Sequence, residues 1–173
     1  MRGDRPVTQG AKRKADSLSA EVRAEIDHWL AKYPPDQKQS AVLAALHAVQ
    51  HEQGHVSTDA MDAVADYLGM PPVSVYEVAN FYSMIETRPV GRHTVALCTN
   101  ISCMLCGAQE IVDHVQNKLG IKLGETTPDG RIYLKLEEEC LAACAGGPMM
   151  AVNGHYYENL TPEKVDQILD ALE

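Results

Sequence analysis

Thr94-Val-Ala-Leu-Cys-Thr-Asn-Ile-Ser-Cys-Met-Leu-Cys-Gly-Ala-Gln-Glu-Ile-Val-Asp-His-Val-Gln-Asn-Lys-Leu119 is the stretch on which the fold turns. It opens as a short apolar strand, Thr94 to Leu97, and runs into a loop that holds three cysteines. From Ala108 it continues as a helix with Ile111, Val112, Val115 and Leu119 on one face and Gly120 as its stop. Downstream, Arg131 to Leu136 alternates apolar and polar residues with a period of two, the pattern of a half-buried strand. Met149–Val152 and His155–Tyr157 flank Asn153-Gly154, a strong hairpin signal. Thr161-Pro162 then caps a last helix that turns Val165, Ile168, Leu169 and Leu172 inward.

The order β-α-β, hairpin, α within residues 92–173 predicts a thioredoxin-like domain, a four-stranded sheet with helices packed on it. Upstream, residues 17–88 read as helix throughout. Ser19 caps a first helix with Val22, Ile26, Trp29 and Leu30 on one face, ended by Pro34-Pro35. A second runs from about Asp36 to His51 and stops at Gly54; a third follows Ser57 or Thr58 and stops at Gly69; Pro72 opens a fourth. The predicted class is therefore α+β, an N-terminal helical bundle followed by a thioredoxin-like domain.

The 173 residues are 45% hydrophobic and 5% aromatic, enough to bury a core without covalent staples. The net charge is −9, yet Arg2, Arg5, Lys12, Arg13 and Lys14 face only Asp4 in the first fourteen residues, so the body is more acidic still. Such a body repels phosphate backbones, which argues against a nucleic-acid partner. The basic stretch 1–16 lacks the apolar centre of a secretory signal and is too short and too little amphipathic for a presequence; it reads as a disordered tail. No apolar run is long enough to span a bilayer, so membrane attachment is expected only through another protein, and the chain reads as cytoplasmic.

All five cysteines fall in the second half: Cys98, Cys103 and Cys106 after the first strand, Cys140 and Cys144 before the hairpin. A lone buried cysteine is usually a small hydrophobe. These sit in loops, beside Thr-Asn-Ile-Ser and Ala-Gly-Gly-Pro, where clustered thiols serve as ligands or redox partners. Zinc would take four of them at one tetrahedral point. A dithiol oxidoreductase would use Cys103-Met-Leu-Cys106 at a helix start, but would leave the other cysteines without a role. A 2Fe-2S cluster needs four thiolates from two loops, with small residues letting N–H groups reach the sulfurs, and so accounts for most of what the two loops contain. Which four remains open on spacing alone, because Cys98-x4-Cys103-x2-Cys106 also reproduces the plant-type ferredoxin opening.

Cys98-Thr-Asn-Ile-Ser-Cys103, the thirty-six residues that follow, Cys140-Leu-Ala-Ala-Cys144 and Gly147-Pro-Met-Met-Ala-Val-Asn153 closely resemble the thioredoxin-like 2Fe-2S family of complex I, the E subunits of NADH:quinone oxidoreductase. Leu119–Gly130, Tyr156–Glu163 and Val73–Ser83 are similar to that family too, with Asn80 where Thr is more frequent. Ala142 stands where the family usually carries Gly, and Gly147 where Ala is commoner. The resemblance implies Cys98, Cys103, Cys140 and Cys144 as ligands of one 2Fe-2S cluster, with Cys106 outside the set. It further implies an electron-transfer subunit that accepts single electrons from FMN, the FMN and NADH being held by a partner flavoprotein that the helical half wraps. The cluster would be a side reservoir within a larger respiratory complex, peripheral to the bacterial inner membrane. The same module is found in soluble NAD-linked hydrogenases and formate dehydrogenases, and only the partners separate these settings. A zinc-stabilised interaction domain is the rival of a different class.

His51-Glu-Gln-Gly-His55 matches the zinc-protease pattern H-E-x-x-H, which needs both histidines on one face of a continuous helix. Gly54 as helix stop predicts that His55 falls outside. No glycine-rich nucleotide loop occurs, so hydride chemistry must be supplied by a partner chain, and this chain is not catalytic alone.

Overall fold

The computed structural model describes residues 14–136 and 140–173. Two compact units divide the chain between Arg88 and Pro89. The basic tail, apart from its last residues, lies outside the described residues.

In the first unit the chain enters through a 3-10 turn, Lys14–Ser17, that the sequence assigns to tail and helix start. It is bound, not loose: Ala15 is buried, its N–H donates to Asp66 at 3.0 Å, and the Lys14 ammonium pairs with Asp62. Helix α1 (Ala20–Leu30) begins where the Ser19 hydroxyl accepts the Val22 N–H at 3.0 Å, satisfying a donor that the helix cannot. Helix α2 (Val42–Gln53) starts later than the sequence predicts. Gln37 is not in a helical conformation and makes no side-chain cap, so the chain enters through a tighter 3-10 turn, Lys38–Ala41. Gly54 at φ 77° ends α2, and His55 lies beyond it, so the two histidines do not share a helix face. Helix α3 (Thr58–Leu68), capped by Ser57 and stopped by Gly69 at φ 69°, buries Ala60, Met61, Ala63, Val64, Ala65 and Leu68 and forms the middle of the bundle. Helix α4 (Pro72–Phe81) buries only Val75 and Ala79.

The second unit carries a four-stranded mixed sheet in the order β2-β1-β3-β4. Strand β1 (His93–Leu97) pairs parallel to β2 (Ile132–Leu134), with Val95 opposite Leu134, and antiparallel to β3 (Met150–Val152), with Ala96 opposite Ala151. Strand β4 (His155–Tyr157) returns from β3 through Asn153 at φ 50° and Gly154 at φ 82°, the two left-handed residues that a tight hairpin requires. Helices α6 (Ala108–Leu119) and α7 (Pro162–Asp170) lay Ile111, Val112, Val115, Val165 and Leu169 on Val95, Leu97, Ile132, Leu134, Met150 and Val152. This is the thioredoxin-like arrangement.

Strand β2 departs from the expected half-buried alternation, since Ile132, Tyr133 and Leu134 are all buried. The cause lies in the segment before it. Gly124 and Thr127 donate to the carbonyls of Leu134 and Ile132, and Leu134 donates to Glu125, so residues 124–127 line the outer edge of β2. Gly91 is required at the entrance to β1, where a Cβ would lie 2.7 Å from the backbone of Ile132 and Tyr133.

Candidate metal centre

Strand β1 ends at Leu97, and the chain leaves the sheet at Cys98, whose N–H donates to the Met149 carbonyl at 3.1 Å. Asn100 then opens a helix that the sequence pattern does not announce, α5 (Ile101–Leu105). Five residues are too short for a periodic signal, and only tertiary packing stabilises such a turn. Cys103 lies in its middle and points inward. Cys106 is its C-cap and is exposed. Gly107, at φ 90°, separates α5 from α6.

The second cysteine loop approaches from the other side. Cys140 and Cys144 are exposed, with sulfurs 3.7 Å apart. Two thiolates on one tetrahedral metal with bonds of ≈ 2.3 Å lie about 3.8 Å apart, so this pair already has the bite of a shared metal atom. Between them Ala142 adopts φ 58°, a left-handed conformation unusual for a residue with a Cβ. The loop then passes a 3-10 turn, Cys144–Gly146, and a cis Gly147–Pro148 bond into β3. It is tied down where Asn159 donates to the Gly146 carbonyl at 2.6 Å and Leu160 to that of Pro148 at 2.9 Å. At Gly147 a Cβ would come within 3.3 Å of the Cys103 sulfur, so the backbone of the second loop closes directly over the thiol of the first.

Four of the five thiols interact with one another. The Cys98 sulfur has those of Cys103 and Cys140 as hydrogen-bond partners, Cys140 has Cys144, and Cys103 feels the charge of Cys144. Cys98 and Cys103 pack with Ala108 and Met149, against Leu141 and Ala143. Cys106 takes no part in this set. The four expected ligands are thus neighbours, drawn from two loops.

Backbone donors surround the sulfurs. The N–H groups of Asn100 and Leu141 donate to Cys98, that of Met149 to Cys103 and that of Ala142 to Cys140. Burial is the strongest influence on Cys98 and would raise its pKa, but those two N–H groups and the neighbouring thiols together hold it below the ordinary thiol range. Cys103 goes the other way: burial, reinforced by the Cys98 sulfur, pushes it up to about 11. At Cys140 the Ala142 N–H is the largest single influence and favours the thiolate, but Cys144, burial and Cys98 outweigh it and leave the thiol raised. A thiolate in this set therefore opposes ionisation of its neighbour, an opposition that nearby positive charge would relieve.

The donor set fits a 2Fe-2S cluster in three respects: four thiols from two loops, N–H donors already directed at sulfur, and Ala143 and Gly147 leaving room for close backbone approach. Among the described residues no group of three or more His, Cys, Asp or Glu side chains gathers closely enough for a single metal ion.

Residues 26–173 match the thioredoxin-like [2Fe-2S] ferredoxin family. The NADH-quinone oxidoreductase E 2 subunit of Rhizobium meliloti is 42% identical over 150 residues, 87% of this chain and 88% of that protein. The NADH-quinone oxidoreductase E subunit of Rickettsia bellii is 43% identical over 142 residues, covering 82% of this chain and 84% of its own. The mitochondrial NADH dehydrogenase [ubiquinone] flavoprotein 2 of Dictyostelium discoideum is 41% identical, but this chain spans only 63% of its length. Among solved structures, a NAD+-reducing [NiFe]-hydrogenase contains the same fold with a TM-score of 0.66 at 21% identity, over 76% of this chain and 22% of that one.

Proposed function

Because the chain belongs to the thioredoxin-like [2Fe-2S] ferredoxin family, we propose that it is the electron-transfer subunit of an NADH-oxidising complex, the counterpart of the E subunits of NADH-quinone oxidoreductase. The observation that carries the reading is the meeting of four thiols from two loops, with N–H donors aimed at their sulfurs, in a chain with no nucleotide-binding motif. When bound, a 2Fe-2S cluster takes up and releases one electron at a time.

In this reading Cys98, Cys103, Cys140 and Cys144 hold the cluster and Cys106 stands outside it. The N–H groups of Asn100, Leu141, Met149 and Ala142 offset negative charge on the sulfurs and so favour the reduced state. Burial of Cys98 and Cys103 shields one side of the site from water, while Cys140 and Cys144 are exposed. FMN and NADH belong to a separate flavoprotein subunit, since a hydride must be split into single electrons before this chain can accept them. The helical unit, residues 17–88, serves to dock on that subunit. Likeness to the bacterial relatives supports a peripheral, cytoplasm-facing place in a respiratory complex. Among the described residues no helix is long and apolar enough to cross a membrane.

The test is anaerobic purification followed by iron and acid-labile sulfide analysis and electron paramagnetic resonance of the reduced protein. Equal iron and sulfide with a one-electron signal, reducible by NADH only when the FMN-bearing subunit is added, is the expected result. A colourless protein containing zinc would refute it.

A further inference from the structure

We propose that the outer face of α5, formed by Ile101, Met104 and Leu105, is the seat of the electron-exchanging subunit, which meets it through an uncharged apolar patch. This rests on the electron-transfer reading above. Helix α5 is built inside out. Its cysteine is buried, while Ile101 is 80% exposed, Leu105 84% and Met104 40%. The spacing i, i+3, i+4 puts those three side chains on one side of the turn. Large apolar side chains grouped on one surface mark an interaction site, whereas scattered ones do not.

What covers the patch follows from charge and from position. Residues 94–109, the segment that contains α5, hold no Asp, Glu, Lys or Arg, although 39 such residues occur in the chain. A surface of this kind can be dehydrated without stranding a charge, which is the composition of an interface centre. A second copy would set one net charge of −9 against another; a neutral or basic partner meets no such repulsion. Any chain resting on Ile101 and Leu105 also touches the turn that contains Cys103, so the occupant lies within electron-transfer reach of the cluster. An apolar seat of this kind keeps its partner through slow dissociation, unlike the salt-sensitive, charge-steered encounters of mobile carriers.

The test uses the full cluster-bearing chain, with the FMN-bearing subunit of its own complex as probe. The double variant Ile101→Ser/Leu105→Ser should keep the reduced-cluster signal but bind the probe about 10- to 100-fold more weakly. The same fold-loss is expected at about 0.05 and about 0.5 M salt, because apolar burial is not screened. Tyr156→Ser, which removes an exposed apolar side chain of the same unit outside the cysteine loops, should bind as the parent does. If the double variant disturbs α5 enough to lose the cluster signal, Ile101→Ser and Leu105→Ser carry the test singly, each expected to lose at least about threefold. Parent-like affinity of these variants, a loss that vanishes in salt, or self-association of the parent that the variants abolish would each overturn the proposal. A parent chain that lacks the cluster, or fails to bind the probe at any salt, refutes the functional reading instead, and does so before any substitution is made.

Discussion

Ala142→Gly should make the cluster loop more stable, by an amount that can be worked from the backbone. Ala142 lies between Cys140 and Cys144 at φ 58°. This conformation costs a residue with a Cβ about 1–2 kcal/mol, and glycine almost nothing. The Ala142 side chain is exposed, so deleting the Cβ sacrifices no packing. Against this gain stands the greater freedom of glycine in the unfolded chain, about 0.4–1 kcal/mol. The net expectation is about 0.5–1 kcal/mol in favour of the variant, or cluster loss slowed about two- to fivefold if opening of this loop limits release. The assay is decay of visible cluster absorbance under anaerobic conditions at a fixed urea concentration. Because the Ala142 N–H donates to the Cys140 sulfur in the same conformation, the variant should keep the parent reduction potential. Ala142→Val, a β-branched residue forced into the left-handed region, should accelerate loss. Equal or faster loss in Ala142→Gly, or slower loss in Ala142→Val, would refute the claim that this residue stores strain.

Serine at Cys98, Cys103, Cys140 or Cys144, introduced one at a time, should abolish or reshape the reduced-cluster resonance spectrum, while Cys106→Ser leaves it unchanged. Loss of the signal in Cys106→Ser alone would restore the plant-type assignment. Gly91→Ala should destabilise the second unit by at least about 2 kcal/mol in urea titration, since its Cβ meets backbone, which cannot rotate away. In the first unit, hydrogen bonds from Lys14 and then Tyr76 hold the Asp62 carboxyl below its usual value of 3.8. The folded state therefore binds fewer protons than the unfolded one just below that value, so stability present above about pH 4 is lost as pH falls further. Asp62→Asn should lower the neutral-pH midpoint of the helical unit and flatten this acid limb; an unchanged limb would show that the pairing with Lys14 contributes nothing.

The elements that the sequence disclosed were those with local causes. Ser19 and Ser57 accept N–H groups that helix starts leave over, Gly54 and Gly69 take left-handed stops, and Asn153-Gly154 takes the left-handed turn of a hairpin. None of these needs a distant partner, so each is visible in a few letters. The departures have the opposite origin. Tyr133 and Lys135 look like the solvent face of the strand predicted over residues 131–136, but both are buried, and the edge of β2 is lined by residues 124–127, a tertiary event without a local signature. Lys14 and Ala15 look like tail, but Asp62 and Asp66 of α3 hold them in place from some fifty positions away.

The cysteines show where spacing stops being informative. Cys103 and Cys106 are three residues apart, and as letters each serves equally well in a four-thiolate set. A loop could present either one. A helical turn distinguishes them: Cys103 in the middle of α5 is carried inward beneath Gly147, whereas Cys106, as the C-cap, is left at the surface. The turn that separates them has no sequence signal, because its large apolar residues point outward and its inward residue is the cysteine. A pattern search expects the reverse. Both peculiarities of α5, its invisibility in the sequence and its apolar outer face, are what the proposed arrangement requires, with the inner side given to the cluster and the outer side to the partner.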